Sequence, residues 1–91
     1  MSEDTKLCLI SFSRTDPRAD YAPLENSLRG RGAKQAFTGT WVLRTAVAHT
    51  RLRDELRWLL PGPDGLVVAT VDGRIACHHG SSELAVLAVC E

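Results

Sequence analysis

The sequence has few cysteines, few aromatic residues and no excess of charge of either sign. Eleven basic and eleven acidic residues cancel, so the chain lacks the strong positive field of a dedicated nucleic-acid binder. Three cysteines are too sparse, and odd in number, for a disulfide framework. No apolar run approaches the ~20 residues of a membrane helix, and the acidic, polar start is not a signal peptide. These absences predict a cytoplasmic protein without a membrane partner.

The remaining composition is that of one soluble globular domain. The chain has 91 residues, of which 44% are hydrophobic and 24% charged, which suits a single domain spanning residues 1–91. We expect residues 1–5 to be a disordered N-terminus and residues 74–91 to be a C-terminal extension. A domain of this size buries a modest fraction of its surface, so dimerisation would add useful stability.

The clearest pattern lies in residues 40–60, which read as a strand followed by an amphipathic helix. Trp41 and Leu43 alternate on one side of the strand, with Val42 and Arg44 on the other. In the helix, one apolar stripe recurs at i, i+4, i+7 and i+8 and consists of Leu52, Leu56, Leu59 and Leu60. Such a stripe must pack on the apolar strands around it.

The other elements complete a regular alternation. Strands are predicted at residues 6–13, 33–38 and 66–71, and a helix begins after Asp20, its expected N-cap, and ends before Gly30 and Gly32. The order β-α-β-β-α-β predicts an α+β, ferredoxin-like fold: a four-stranded antiparallel sheet, strands one and three central, with both helices on one face. A short C-terminal element follows, for which we favour a helix, although Val and Leu also suit a strand.

The opposite face of such a sheet would have no helix over it. Cys8 or Leu9, together with Val42 and part of strand 66–71, would then form an apolar patch. A symmetric homodimer through that face, or through the last strand, is the expected solution.

Four phrases of the sequence resemble a known group of small proteins. They are LCLISFS, DYAPLENSLRGRGAKQAF, TWVLRT and LRDELRWLLPGPDGLVV, which fall within residues 6–71. They are similar to the SinR-like proteins, to the VapD toxins and to the Cas-two-like small dimeric subunit of the CRISPR adaptation integrase. The resemblance implies a homodimer of ferredoxin-like folds.

In some of these relatives the resemblance also implies metal-dependent cleavage of RNA or DNA. There an Asp at the end of strand one, from each subunit, holds a divalent metal, because a hard cation needs oxygen ligands. The matching residue here is Ser13, whose neutral hydroxyl is a poor ligand for Mg²⁺, and Asp16 follows in the same loop. Ser13 and Asp16 are therefore the candidate catalytic residues, and Mg²⁺ or Mn²⁺ is the cofactor only under this alternative. The competing interpretation is a solvated turn.

Basic residues supply a second candidate site. The candidates for gripping phosphates are Arg14, Arg29, Arg31, Lys34 and Arg44. The competing interpretation is that basic side chains near a helix end interact with the helix dipole. Trp41 and Trp58 are able to stack bases, but the phase of Trp41 predicts a core residue.

A metal site is not predicted. Cys77, His78 and His79 are adjacent, and neighbours on an extended chain point to opposite sides, so the three cannot converge on one ion. Three functions follow as hypotheses: a dimeric nucleic-acid-binding or scaffold subunit, a metal-dependent nuclease with its site at the dimer interface, and a toxin–antitoxin type interaction module.

Overall fold

The described part of the chain forms four strands and two helices. The computed structural model describes residues 5–16, 18–61 and 64–71. The elements are β1 (Lys6–Phe12), α1 (Ala22–Gly30), β2 (Lys34–Phe37), β3 (Thr40–Thr45), α2 (His49–Leu56), a 3-10 turn (Arg57–Leu59) and β4 (Leu66–Val71). This is the predicted order. The hypotheses about residues 1–4, the 74–91 extension and the Cys77-His78-His79 run concern residues outside these ranges.

The strands pair as one antiparallel sheet in the order β2-β3-β1-β4. β1 lies against β3 from Lys6 opposite Thr45 to Ser11 opposite Thr40, and against β4 on its other side. The predictions of an α+β class, a four-stranded antiparallel sheet and a central position for the first and third strands are confirmed.

Both helices pack on one side of the sheet. From β1, this side receives Cys8, Ile10 and Phe12, because alternate residues of a strand point to the same face. The buried residues of the helices and of β3 complete this core: Leu24, Leu28, Trp41, Leu43, Leu52 and Leu56. The prediction that Trp41 is a core residue is confirmed, since its side chain is 1% exposed.

The start of α1 and the end of α2 differ from the prediction. The N-cap of α1 is Tyr21, and Asp20 instead accepts a hydrogen bond from the amide of Ala22 at 3.0 Å. The leucine stripe of α2 is not one continuous α-helix, because the chain tightens into the 3-10 turn after Leu56. Neither helix in the described ranges is long and apolar enough to cross a membrane.

We call the side of the sheet opposite the helices the second face. Strand alternation and register place on it Leu7, Leu9, Lys34, Val42, Arg44, Val67, Ala69 and Val71. Of the residues expected to lie open on this face, Leu9 is partly exposed, but the expectation is wrong for Val42, which is 1% exposed. Neither α1 nor α2 supplies that cover, because both pack on the opposite side. Val67, at 62%, is exposed as expected.

One glycine ties the β2–β3 turn to the end of β1. Gly39 has a φ of +81°, a conformation that glycine adopts without steric cost. Its carbonyl accepts a hydrogen bond from the amide of Phe12 at 2.8 Å. A Cβ at this position would lie 2.7 Å from the Phe12 carbonyl oxygen. The close approach of these two backbone segments fixes where β1 ends and the loop with the candidate residues begins.

Candidate functional site

The end of β1 is joined to the start of β4 by hydrogen bonds through Ser13. The Ser13 amide donates to the Gly65 carbonyl at 3.0 Å, and the Gly65 amide donates to Ser13 Oγ at 2.8 Å. The side chain of this candidate catalytic residue is therefore engaged by the backbone of the neighbouring strand.

A carboxylate does stand beside Ser13, but it comes from the residue before Gly65. Asp64 Oδ1 accepts hydrogen bonds from Ser13 Oγ at 3.4 Å, from the Thr15 amide at 3.2 Å and from Thr15 Oγ1. Its Oδ2 accepts from the phenol of Tyr21. The bonds from Thr15 and then Tyr21 hold the pKa of Asp64 below its ordinary value, because they stabilise the charged form. Asp64 thus fastens the β1–α1 loop to the start of β4.

Tyr21 is the buried part of this cluster. Its ring is 3% exposed and stacks on Phe12 with centroids 6.0 Å apart. The guanidinium of Arg14 lies 4.7 Å from the ring centroid and pairs with Glu25 at 3.3 Å. The hydrogen bond to Asp64, followed by burial, raises the pKa of the Tyr21 phenol. The ring anchors the polar loop to the core.

Asp16, the second candidate catalytic residue, lies in the same loop, and its carboxylate bonds within that loop. Its carboxylate accepts from the amide of Arg18 at 2.9 Å, and its carbonyl accepts from the amide of Ala19 at 3.1 Å. This local bonding is typical of an Asx turn. Within residues 5–16, 18–61 and 64–71, no three His, Cys, Asp or Glu side chains are grouped to hold a metal ion.

The chemistry open to the Asp64 cluster is limited by its hydrogen bonds. A carboxylate has about four lone-pair sites on its two oxygens; three donors converge on Asp64 Oδ1 and one reaches Oδ2, so most of these sites are occupied. A general base needs a free lone pair toward its substrate, and a metal ligand needs one toward the ion. The arrangement is that of a structural clasp between two loops.

The five predicted phosphate-binding residues do not form one surface. Arg14 pairs with Glu25, and Arg31 pairs with Glu55 of α2 at 2.8 Å. Arg31, and then Arg51, lower the pKa of Glu55 by hydrogen bonding to its charged form. The charges of Arg14 and Arg31 are thus partly neutralised by carboxylates of the same chain.

The other three predicted phosphate-binding residues have no carboxylate partner among the described residues. They are Arg29, Lys34 and Arg44. Arg29 lies with its guanidinium 5.1 Å from the ring centroid of Trp41 on the helix side. Lys34 and Arg44 belong to the second face, Lys34 opposite Val42 and Arg44 opposite Leu7. The exposed end of Arg44 is the most accessible positive charge on that face.

A third aromatic–arginine contact lies in the 3-10 turn that follows α2. Trp58 is 77% exposed, and the guanidinium of Arg57 is 4.8 Å from its ring centroid. The two tryptophans therefore have opposite environments, and Trp58 is the one that remains available to a partner.

The sequence analysis did not identify Asp64 as a candidate residue. A usable signal was present: an Asp-Gly pair directly precedes β4, and β4 is the neighbour of β1 in the sheet. Antiparallel pairing brings the start of one strand to the end of the other, so a carboxylate before β4 meets the loop after β1.

Comparisons of the chain with models of protein families, with curated proteins and with solved structures found no match. The resemblance to the SinR-like, VapD-like and Cas-two-like proteins therefore stays a prediction from the sequence.

Proposed function

We propose that this chain is a ferredoxin-like binding subunit that works as a homodimer and has no catalytic centre of its own. Central first and third strands, with both helices packed on one side, support the split βαβ assignment. The observation that carries the proposal is the outer edge of β4, beside which no strand of residues 5–16, 18–61 and 64–71 lies.

The two edge strands of the sheet differ in how they discourage pairing. β2 has four residues, begins with Lys34 and loses its regular register between Gln35 and Phe37, features that protect an edge strand. β4 has six residues in unbroken register with β1, and its sequence, LVVATV, contains no charge and no proline. No strand of the described ranges lies outside it. An antiparallel β4–β4 pair about a twofold axis would satisfy this edge and join two sheets.

The dimer is tested by placing a charge on the β4 edge. Val67, which is 62% exposed, is changed to Lys, and Phe37 on the opposite edge, which is 46% exposed, is changed to Lys as the matched control. We expect the parent chain and Phe37→Lys to be dimers by light scattering after gel filtration. Val67→Lys should weaken the dimer about tenfold or more, because a lysine on an edge strand disfavours pairing with another strand. A monomeric parent chain would end the proposal.

The ligand class that we propose is nucleic acid, held through Arg29, Lys34 and Arg44. These cations are not committed to carboxylates of the described residues, and a dimer doubles their number. Each phosphate contact releases counterions, so binding must weaken as salt rises. Because the chain has no net charge, individual cations and not a global field would attract the phosphates. Lys34 and Arg44 would contact them on the second face, and Arg29 on the helix side.

The nucleic-acid part is tested by fluorescence anisotropy with short RNA and DNA at several salt concentrations. Arg44→Gln should weaken binding severalfold and make the salt dependence shallower, whereas Arg53→Gln should change little, because Arg53 already pairs with Asp54 at 2.9 Å. Binding that ignores salt, or equal losses in the two variants, would contradict the proposed contact. Dimerisation without any nucleic-acid binding would favour the scaffold or interaction-module hypotheses.

The nuclease alternative is not the function we propose. Its carboxylate would be Asp16 or, on the structure, Asp64. Asp16 caps its own loop, and Asp64 is surrounded by donors from Ser13, Thr15 and Tyr21. Both carboxylates already accept hydrogen bonds from their own chain, whereas metal-assisted hydrolysis requires carboxylates directed at the ion.

A further inference from the structure

Trp58 is the most exposed of the large hydrophobic side chains in the described ranges. Residues 5–16, 18–61 and 64–71 leave 77% of it exposed. It lies in the 3-10 turn that follows α2, where the next residue, Leu59, instead packs against the core. A single exposed apolar side chain is ordinary on a protein surface. The feature that distinguishes Trp58 is the charge that surrounds it.

Arg57 supplies the first of these charges. Its guanidinium lies 4.8 Å from the centroid of the Trp58 ring, and among the described residues it has no carboxylate partner. A planar guanidinium that stacks on an indole covers one of its two faces. Because so much of the ring is exposed, the other face is open to a flat ligand.

The side of α2 that leads to Trp58 carries further positive charge. Arg51 and Glu55 precede Trp58 by seven and three residues, a spacing that places side chains on one side of a helix. Glu55 pairs with Arg31 at 2.8 Å and with Arg51 at 3.0 Å. Two cations therefore share one carboxylate, which leaves one positive charge over, and Arg57 adds a second.

The ring has no apolar surface around it in the described part of the chain. The other exposed large hydrophobic side chains there, Phe37 and Val67, belong to the two edge strands. The remaining charged pair of α2, Arg53 and Asp54, is joined at 2.9 Å and cancels. Protein interfaces place their aromatic anchors in a core that is depleted of charge. An aromatic ring among cations is instead typical of a surface that stacks unpaired bases.

We infer that the surface formed by Arg31, Arg51, Arg57 and Trp58, which we call the α2 surface, binds single-stranded nucleic acid. This inference rests on the proposed nucleic-acid function and narrows its ligand class. The open face of Trp58 stacks on one unpaired base, and the excess positive charge contacts the neighbouring phosphates. In a duplex each base is already stacked on its neighbours, so the ring gains little from a double strand.

The test is fluorescence anisotropy with labelled oligothymidine of about ten nucleotides, alone and annealed to its complement. We expect the parent chain to bind the single strand more tightly than the duplex. Trp58→Ala should weaken single-strand binding about five- to hundredfold, the effect of losing one base–aromatic stack, and leave duplex binding unchanged. Trp58→Phe should keep part of the affinity, because a phenyl ring still stacks. Phe37→Ala, which removes another exposed ring, is the matched control and should change neither.

The outcomes separate this inference from the function on which it rests. The inference is overturned if Trp58→Ala binds the single strand as tightly as the parent chain, if it loses equal affinity for strand and duplex, or if the parent prefers the duplex. Each of these results would leave nucleic-acid binding in place. A parent chain that binds neither form would remove both proposals, and Trp58 would then be assigned to a protein partner.

Discussion

Three glycines give a graded test of the backbone geometry that ends β1. Gly39 and Gly32 have φ values of +81° and +88°, and a left-handed conformation costs an alanine about 1–2 kcal/mol. A Cβ at Gly32 meets nothing within 4 Å, whereas a Cβ at Gly39 lies 2.7 Å from the Phe12 carbonyl oxygen. Relieving that overlap requires a backbone shift, for which about 1–3 kcal/mol is typical. Gly39→Ala should therefore lose ~2–5 kcal/mol and Gly32→Ala ~1–2 kcal/mol.

Gly30 supplies the control of opposite sign. It is the last residue of α1, has no left-handed φ, and offers open space to a Cβ. Alanine is the better helix former by roughly 0.5–1 kcal/mol in a helix interior. Gly30→Ala should therefore stabilise the fold, by less than this amount because the residue lies at the helix end.

The assay is urea unfolding followed by circular dichroism, with thermal melts in parallel. The difference between Gly39→Ala and Gly32→Ala should appear as a Tm difference on the order of 5–20 °C for a domain of this size. Equal losses in the two variants would refute the argument, because they share the φ penalty and differ only in the contact with Phe12.

Two further predictions concern the Asp64 cluster. Because the pKa of Asp64 is lower in the folded state, its ionised form stabilises the fold at neutral pH, and this contribution is lost as pH falls below about 4, the unfolded value, and through the folded value. At pH 7 we expect Asp64→Asn to have a lower free energy of unfolding than the parent chain, and this difference should become smaller in acid. A difference that does not change with pH in urea unfolding would contradict the prediction. Tyr21 is the single tyrosine, so its ultraviolet titration should show a raised pKa that falls toward the ordinary value in Asp64→Asn, and an unchanged titration would deny the hydrogen bond.

Local patterns were sufficient to predict the sheet and its core. The alternation of Leu7 and Leu9 with Cys8, Ile10 and Phe12 sets the two faces of β1 from sequence alone, because strand side chains have a period of two. The core position of Trp41 followed from its phase with Leu43 in the same way.

Contacts between distant residues were not predictable in this manner. Ser13 and Asp64 are 51 residues apart, and Arg31 and Glu55 are 24 apart; no local period reports such pairs. The burial of Val42 escaped prediction for a related reason. A strand pattern indicates which side chains share a face, but it carries no information on what lies above that face.

The environments of the two indoles give the protein a built-in optical readout. Trp41 is sealed in the core with the charge of Arg29 over its ring, while Trp58 stands in water. In a Trp58→Phe chain, emission would come from the interior alone. A phosphate that drew Arg29 away from the ring would then shift the emission wavelength of Trp41. Phosphate binding at Arg29 could therefore be followed by intrinsic fluorescence, without an attached dye.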